Sequence, residues 1–174
     1  MFFALWAVPA TVTSPGAILL SLAFGTYTFH YFALTGLFPT LLVDRLGLSI
    51  SAAGLISAFT VLANGGGNLL AGVLLKRGVP LWAVALAGYA VIGVSGFAIF
   101  RPGWPVTAIA VAASATLAIS GLIPASIFAA APRIAPGAAL LAVTIGFIMN
   151  GSNLGQLLGP AALAAFVQRF GWEN

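Results

Sequence analysis

Long apolar runs separated by short charged connectors set the pattern of this chain. The uncharged runs fall at roughly 16–42, 51–75, 80–100, 105–131 and 138–167. Between them lie VDRLGLS, KRGV, RPGW and PRIAPG, which hold almost all of the charge and several turn residues. Each run is apolar on all faces and can cross about 30 Å of hydrocarbon at about 1.5 Å per residue. A membrane strand would instead alternate over about ten residues, and these runs do not. The pattern predicts an all-α transmembrane bundle of five spans over residues 16–174, after a lead-in or linker remnant at 1–15. Connectors this short make the spans close neighbours in one bundle. Pro15, Pro80 and Pro105 open helices, where a missing N–H costs nothing. Trp82, Trp104 and Trp172 stand near span ends, as an aromatic belt would.

Composition supports the same class. Of 174 residues, 61% are hydrophobic and 5% charged, whereas soluble domains carry about 25% charged residues. The chain is therefore expected in a membrane, in contact with lipid, and specifically in the bacterial inner (plasma) membrane. The six Lys and Arg are scattered through connectors, so nucleic acid is rejected as a partner, because phosphate binding needs clustered cations. Absence of Cys removes disulfides and thiolate chemistry. An enzyme is not expected: no carboxylate pair, no Ser–His–Asp set and no phosphate loop stands out, and the Gly-Gly-Gly at 65–67 follows no strand. Asp44 beside Arg45 reads as a solvated pair. With residue 1 cytoplasmic, Lys76, Arg77 and Arg133 lie inside and Arg45, Arg101 and Arg169 outside, so the charges alone leave orientation open.

One short word occurs twice. Gly36-Leu37-Phe38-Pro39 returns as Gly121-Leu122-Ile123-Pro124, 85 residues on, and Gly67-Asn68-Leu69-Leu70 returns as Gly155-Gln156-Leu157-Leu158, 88 residues on. The first span thus matches the fourth and the second matches the fifth. A repeat unit of three helices ends on the face opposite its start, so its second copy is inverted, as in secondary transporters. Chance coincidence of Gly/Leu words is the alternative. By this count the second copy lacks its third helix, which suggests a fragment or one part of a larger assembly. Pro39 and Pro124 are either ordinary kinks or a matched pair of hinges facing a pathway.

The polar residues inside the spans are few. His30 is the one ionisable group within an apolar run, with Tyr27, Tyr31 and Thr35 near it on the helix. It reads either as a helix contact or as a substrate ligand or proton carrier, since intramembrane ionisable groups tend towards function and imidazole titrates near neutrality. A metal site is not expected, because His30 has no second ligand nearby, and no cofactor is implied. Asn64 and Asn68, with Thr60, lie one turn apart on the second span; Asn150, Asn153 and Gln156 follow at three-residue spacing on the fifth. Carboxamides in hydrocarbon need partners, so they are either glue between helices or the lining of a watery cavity.

The fifth span resembles the antiporter motif of the major facilitator superfamily. Gly146, Gly155 and Gly159-Pro160 match it, while Leu163-Ala164 replaces its last Gly pair. The segment around Gly72, Leu74 and Arg77 resembles the family's loop motif, with Lys76 at the Asp position and Gly78 one residue early. The missing Asp, and the absence of an Arg in the fourth span, fit helices seven to eleven better than the first half of the fold. The local flavour is similar to cyanate-type and drug- or sugar-efflux members. The resemblance implies a partial half-bundle that carries a small-molecule solute by alternating access. It would work against a missing N-terminal half or a second copy. It also places the KRGV connector in the cytoplasm. Tyr27, His30, Tyr31, Asn64, Asn150 and Asn153 are then the expected lining, with Pro39, Pro124, Gly159 and Pro160 as hinges. The alternatives are a membrane assembly partner without transport and a non-functional fragment.

Overall fold

The computed structural model describes residues 9–99 and 103–171. Every regular element among them is helical: α1 (Pro15–Asp44), α2 (Ile50–Lys76), α3 (Leu81–Ile99), α4 (Val106–Ser120), α5 (Leu122–Ile134) and α6 (Leu141–Phe170), with a 3₁₀ turn at Ala138–Leu140 before α6. The starts and stops follow from local chemistry. Pro15 occupies the first turn of α1. Ser49 caps α2 by accepting the Ala52 N–H at 3.2 Å. Gly78, just beyond the end of α2, has φ +85°, a left-handed conformation that glycine adopts without Cβ strain. Lys76 and Arg169 lie in the last turns of α2 and α6, where the helix dipole favours cations.

Four segments are long and apolar enough to cross a membrane: Pro15–Asp44, Ile50–Lys76, Val106–Ile134 and Ala138–Phe170. The third expected span is represented by a shorter apolar stretch, Leu81–Ser95, among the described residues. The expected lead-in falls partly outside them, as does Trp172.

The distribution of polarity is inverted relative to a soluble bundle. Leu69 is 76% exposed and Phe97 83%, while Ser21, Thr28, Thr60, Asn64, Ser120, Thr144 and Ser152 are buried. Water would not tolerate so continuous an apolar surface, and hydrocarbon would. The chain has the make-up of an integral membrane protein.

Helix pairing places the site. The most extensive contact joins α1 to α6. The two run parallel. The Ser21 hydroxyl donates to the Phe147 carbonyl at 3.2 Å and the Thr28 hydroxyl to the Ser152 carbonyl at 2.9 Å. Further along, Gly159 sits on the Phe29 carbonyl. A second parallel pair joins α2 to α4 and α5. Thr60 and Ser114 share a hydroxyl–hydroxyl bond of 3.1 Å, and Ala71 packs with Leu122 about two to three turns further on. Between the pairs, α1 runs antiparallel to the α4–α5 segment. Leu34, Phe38 and Leu41 cluster with Ile109, Ala113 and Leu117, while Phe24 and Tyr27 cluster with Ile123, Ile127 and Ala131. Helix α3 flanks α4 and α5, with Val84 against Leu122 and Gly88 against Ile123.

Thr28 gives the first prediction. Its single hydroxyl proton divides between the Ser152 carbonyl and the Phe24 carbonyl of its own helix, at 2.9 and 3.0 Å. Thr28→Val keeps the shape and loses the bond. The expected loss is about 0.6 kcal/mol, the average for such bonds between membrane helices, read as a shift of the unfolding midpoint in mixed micelles.

Candidate functional site

Polar side chains meet where α1, α2 and α4 converge, and Asn64 is the centre of the meeting. Its Oδ1 accepts the Tyr27 hydroxyl at 3.2 Å, and its Nδ2 donates to the Leu117 carbonyl at 2.8 Å. Asn68, one turn on, donates to the Asn64 backbone carbonyl at 3.1 Å and lies 3.4 Å from its Oδ1. One buried carboxamide therefore joins three helices.

The helix it grips is interrupted. The segment Val106–Ile134 breaks at Gly121, between α4 and α5. Pro124 follows three residues later and has no N–H to give to the Ser120 carbonyl, so one rung of the helical ladder is missing. Gly121 fits the gap because a Cβ there would strike the Asn64 carbonyl. Gly67 performs the same service from the other side, with its Cα face on the Ala118 carbonyl. Backbone and side chain of α2 together clamp the break.

The expected lining residues divide into three places. Tyr27 and Asn64 come together as described, and Tyr31 lies beside them, its ring centroid 5.8 Å from that of Tyr27. Tyr89 of α3, not singled out from the sequence, ties into the same region by donating to the Ala23 carbonyl at 2.6 Å. His30 belongs elsewhere. It faces a cavity between α1, α3 and α6, and its Nε2 is buried without a hydrogen-bond partner. Asn150 and Asn153 are exposed, on the side of α6 opposite the buried stripe of Thr144, Ile148, Ser152, Gly155 and Gly159. Gln156 turns inward and donates to the Ser152 hydroxyl at 3.3 Å.

Of the expected hinges, Pro124 borders the interruption, whereas α1 and α6 continue through Pro39 and Pro160. Gly159 and Gly155, together with Gly151, bring the α6 backbone close to that of α1. A packing role therefore accounts for both glycines. Sequence reading missed Ser21 and Gly25, which with Gly151 stitch α1 to α6. A signal was present: Gly151, Gly155 and Gly159 repeat at four-residue spacing, the pattern of close-packed membrane helices.

Comparison of the chain with protein-family models, with curated proteins and with solved structures finds no match. Function has to be argued from the arrangement itself.

Proposed function

We propose that the chain is most of the C-terminal half of a secondary transporter of the major facilitator type. It moves a small solute, without bond chemistry, by rocking against another half-bundle in a bacterial plasma membrane. The observation that supports this best is the pairing of helices. If the first span maps onto the fourth and the second onto the fifth, then the pair α1·α6 maps onto the α4–α5 segment paired with α2. Those are the two large parallel pairs, and α1 runs antiparallel to its counterpart, as an inverted repeat requires. The match is approximate. Gly67 meets Ala118 and Gly121, whereas Gly155 meets Gly25 and Thr28, a register about two turns away once the offset of the repeated words is applied.

Burial adds to the reading. In the most apolar windows of α1 and of Val106–Ile134, 39% and 44% of residues are buried, against 22% for both α2 and the Ala138–Phe170 segment. The second and fifth spans thus offer free faces, and on α6 that face holds two carboxamides. Hydrocarbon is a costly neighbour for an unpaired amide. Water in a pathway between two half-bundles would satisfy both. Asn64 and Tyr27 hold α1, α2 and α4 together within the half-bundle that would move.

The chain has no native cysteine, which makes each introduced thiol a unique reporter. Asn150→Cys and Asn153→Cys, expressed in native membranes, are expected to react with a membrane-impermeant maleimide. Leu86→Cys, on the exposed apolar side of α3, is expected to stay unlabelled. If both α6 thiols react no faster than the Leu86→Cys thiol, there is no aqueous pathway along α6. The non-transport assembly partner, with its carboxamides sealed against another protein, then takes over.

A further inference from the structure

Cations and acids are shared unequally between the two ends of the bundle. Lys76 and Arg77 close α2, and Arg133 lies in the last turn of α5. Because α2 and α5 run parallel, all three reach the same end. Asp44, the one carboxylate among the described residues, finishes α1 at the opposite end. No hydrogen bond or ion pair occupies the three cations among the described residues. Capping does not need them either. The Gly78 and Val79 N–H groups donate to the Leu75 and Leu74 carbonyls, each at 3.1 Å, and fix the connector.

The three cations meet at a step. Leu122, at the start of α5, packs with Ala71 of α2 and Val84 of α3. Arg133 follows about three full turns later, and so stands on the same side of α5. At about 1.5 Å per residue, Arg133 lies roughly 17 Å past Leu122 and Lys76 roughly 8 Å past Ala71. Helix α5 therefore overhangs the Lys76–Arg77 connector, and all three side chains are exposed. Towards the membrane centre the outer wall is apolar. Leu69, Val73 and Lys76 follow one another on one exposed face of α2, and Trp82 and Leu86 are exposed on the neighbouring α3.

We propose that this step binds an anionic phospholipid, with its phosphate among Lys76, Arg77 and Arg133 and its acyl chains along Leu69, Val73 and Leu86. Like charges gathered without an acid repel one another, and an anion between them relieves the repulsion. A free phosphate would meet the charges and use none of the apolar wall. A zwitterionic lipid would cover the wall and bring its own ammonium to the cations. An anionic lipid matches both parts. The site is separate from the Asn64 cluster and from the Asn150–Asn153 face, and it does not rest on the transport reading.

The experiment titrates phosphatidylglycerol, and in parallel phosphatidylcholine with the same acyl chains, into the full chain in a neutral maltoside detergent. Native mass spectrometry counts the lipid bound. Each cation near an acidic membrane surface strengthens binding about five-fold, so three give a preference for phosphatidylglycerol on the order of a hundredfold. Arg133→Gln and Lys76→Gln are each expected to lower that preference about five-fold. Arg169→Gln makes the same charge change at the opposite end, in the last turn of α6, and is expected to leave it in place. Excess glycerol 3-phosphate is expected not to displace the lipid. The proposal is overturned if phosphatidylglycerol is not preferred, or if Arg169→Gln weakens it as much as the other two, which would make the attraction diffuse. It is overturned equally if glycerol 3-phosphate displaces the lipid, which would make this a site for a soluble anion. All three substitutions are at exposed positions, and the comparison of the two lipids on the unaltered chain needs none of them.

Discussion

Gly155→Leu is expected to separate α1 from α6 and cost the chain at least about 3 kcal/mol, the upper end of ordinary overpacking. A Cβ at residue 155 would overlap the Gly25 carbonyl and the Thr28 hydroxyl and stand 2.8 Å from the Phe29 nitrogen. Two of those three neighbours are backbone, which cannot swing aside as a side chain can. In lipid the penalty is hard to offset, because helices associate there through close packing and hydrogen bonds and have no hydrophobic drive towards each other. The same substitution also disturbs the Thr28–Ser152 bond. Gly146→Leu is the matched control: it lies on the same helix, and a Cβ there meets nothing within 4 Å. It should change stability by no more than about 0.5 kcal/mol, as surface changes do. Reversible unfolding in mixed micelles, followed by circular dichroism, measures both. Equal stability of the two variants would mean that the α1–α6 contact is not as drawn.

Much of the architecture was legible in the sequence. Charges confined to connectors, and runs apolar on every side, allow no strand and no soluble bundle. The helices follow directly. What the sequence could not decide is where identical words behave differently. Gly36-Leu-Phe-Pro39 and Gly121-Leu-Ile-Pro124 are near copies, yet α1 runs through Pro39 while the fourth span breaks at Gly121. The difference lies in the neighbours. Gly121 is pressed on the Asn64 carbonyl, whereas a Cβ on Gly36 would find only the Pro160 ring at 3.8 Å. No local rule contains that information.

The candidate site was legible in the same partial way. Tyr27 and His30 stand three residues apart, which on a helix of about 3.6 residues per turn separates them by roughly a sixth of a revolution. On a helix with one buried face they would share an environment. Helix α1 is packed by α2, α4, α5 and α6, and Tyr89 of α3 bonds to it, so that small angle sends Tyr27 to Asn64 and His30 to a different cavity. Composition marked both residues as unusual in a membrane. Only the packing says that they serve different places.

Asn64→Leu is expected to loosen three helices at once. The substitution fills nearly the same space and removes the acceptor of the Tyr27 hydroxyl and the donor to the Leu117 carbonyl. The Leu117 carbonyl still accepts the Gly121 N–H at 3.0 Å, so it is not orphaned. The buried Tyr27 hydroxyl is, and an unsatisfied hydroxyl there is the larger part of the cost. Two bonds between membrane helices, each about 0.6–1.7 kcal/mol, give a loss of roughly 1–3 kcal/mol. Tyr27→Phe removes the orphan in advance. In a double-mutant cycle the two changes should therefore cost less together than the sum of the singles, with a coupling of about 0.5–1.5 kcal/mol. A coupling near zero would detach Tyr27 from Asn64. A stability of Asn64→Leu equal to the parent would leave the break at Gly121 without its clamp, and the convergence of α1, α2 and α4 without the one polar group that explains it.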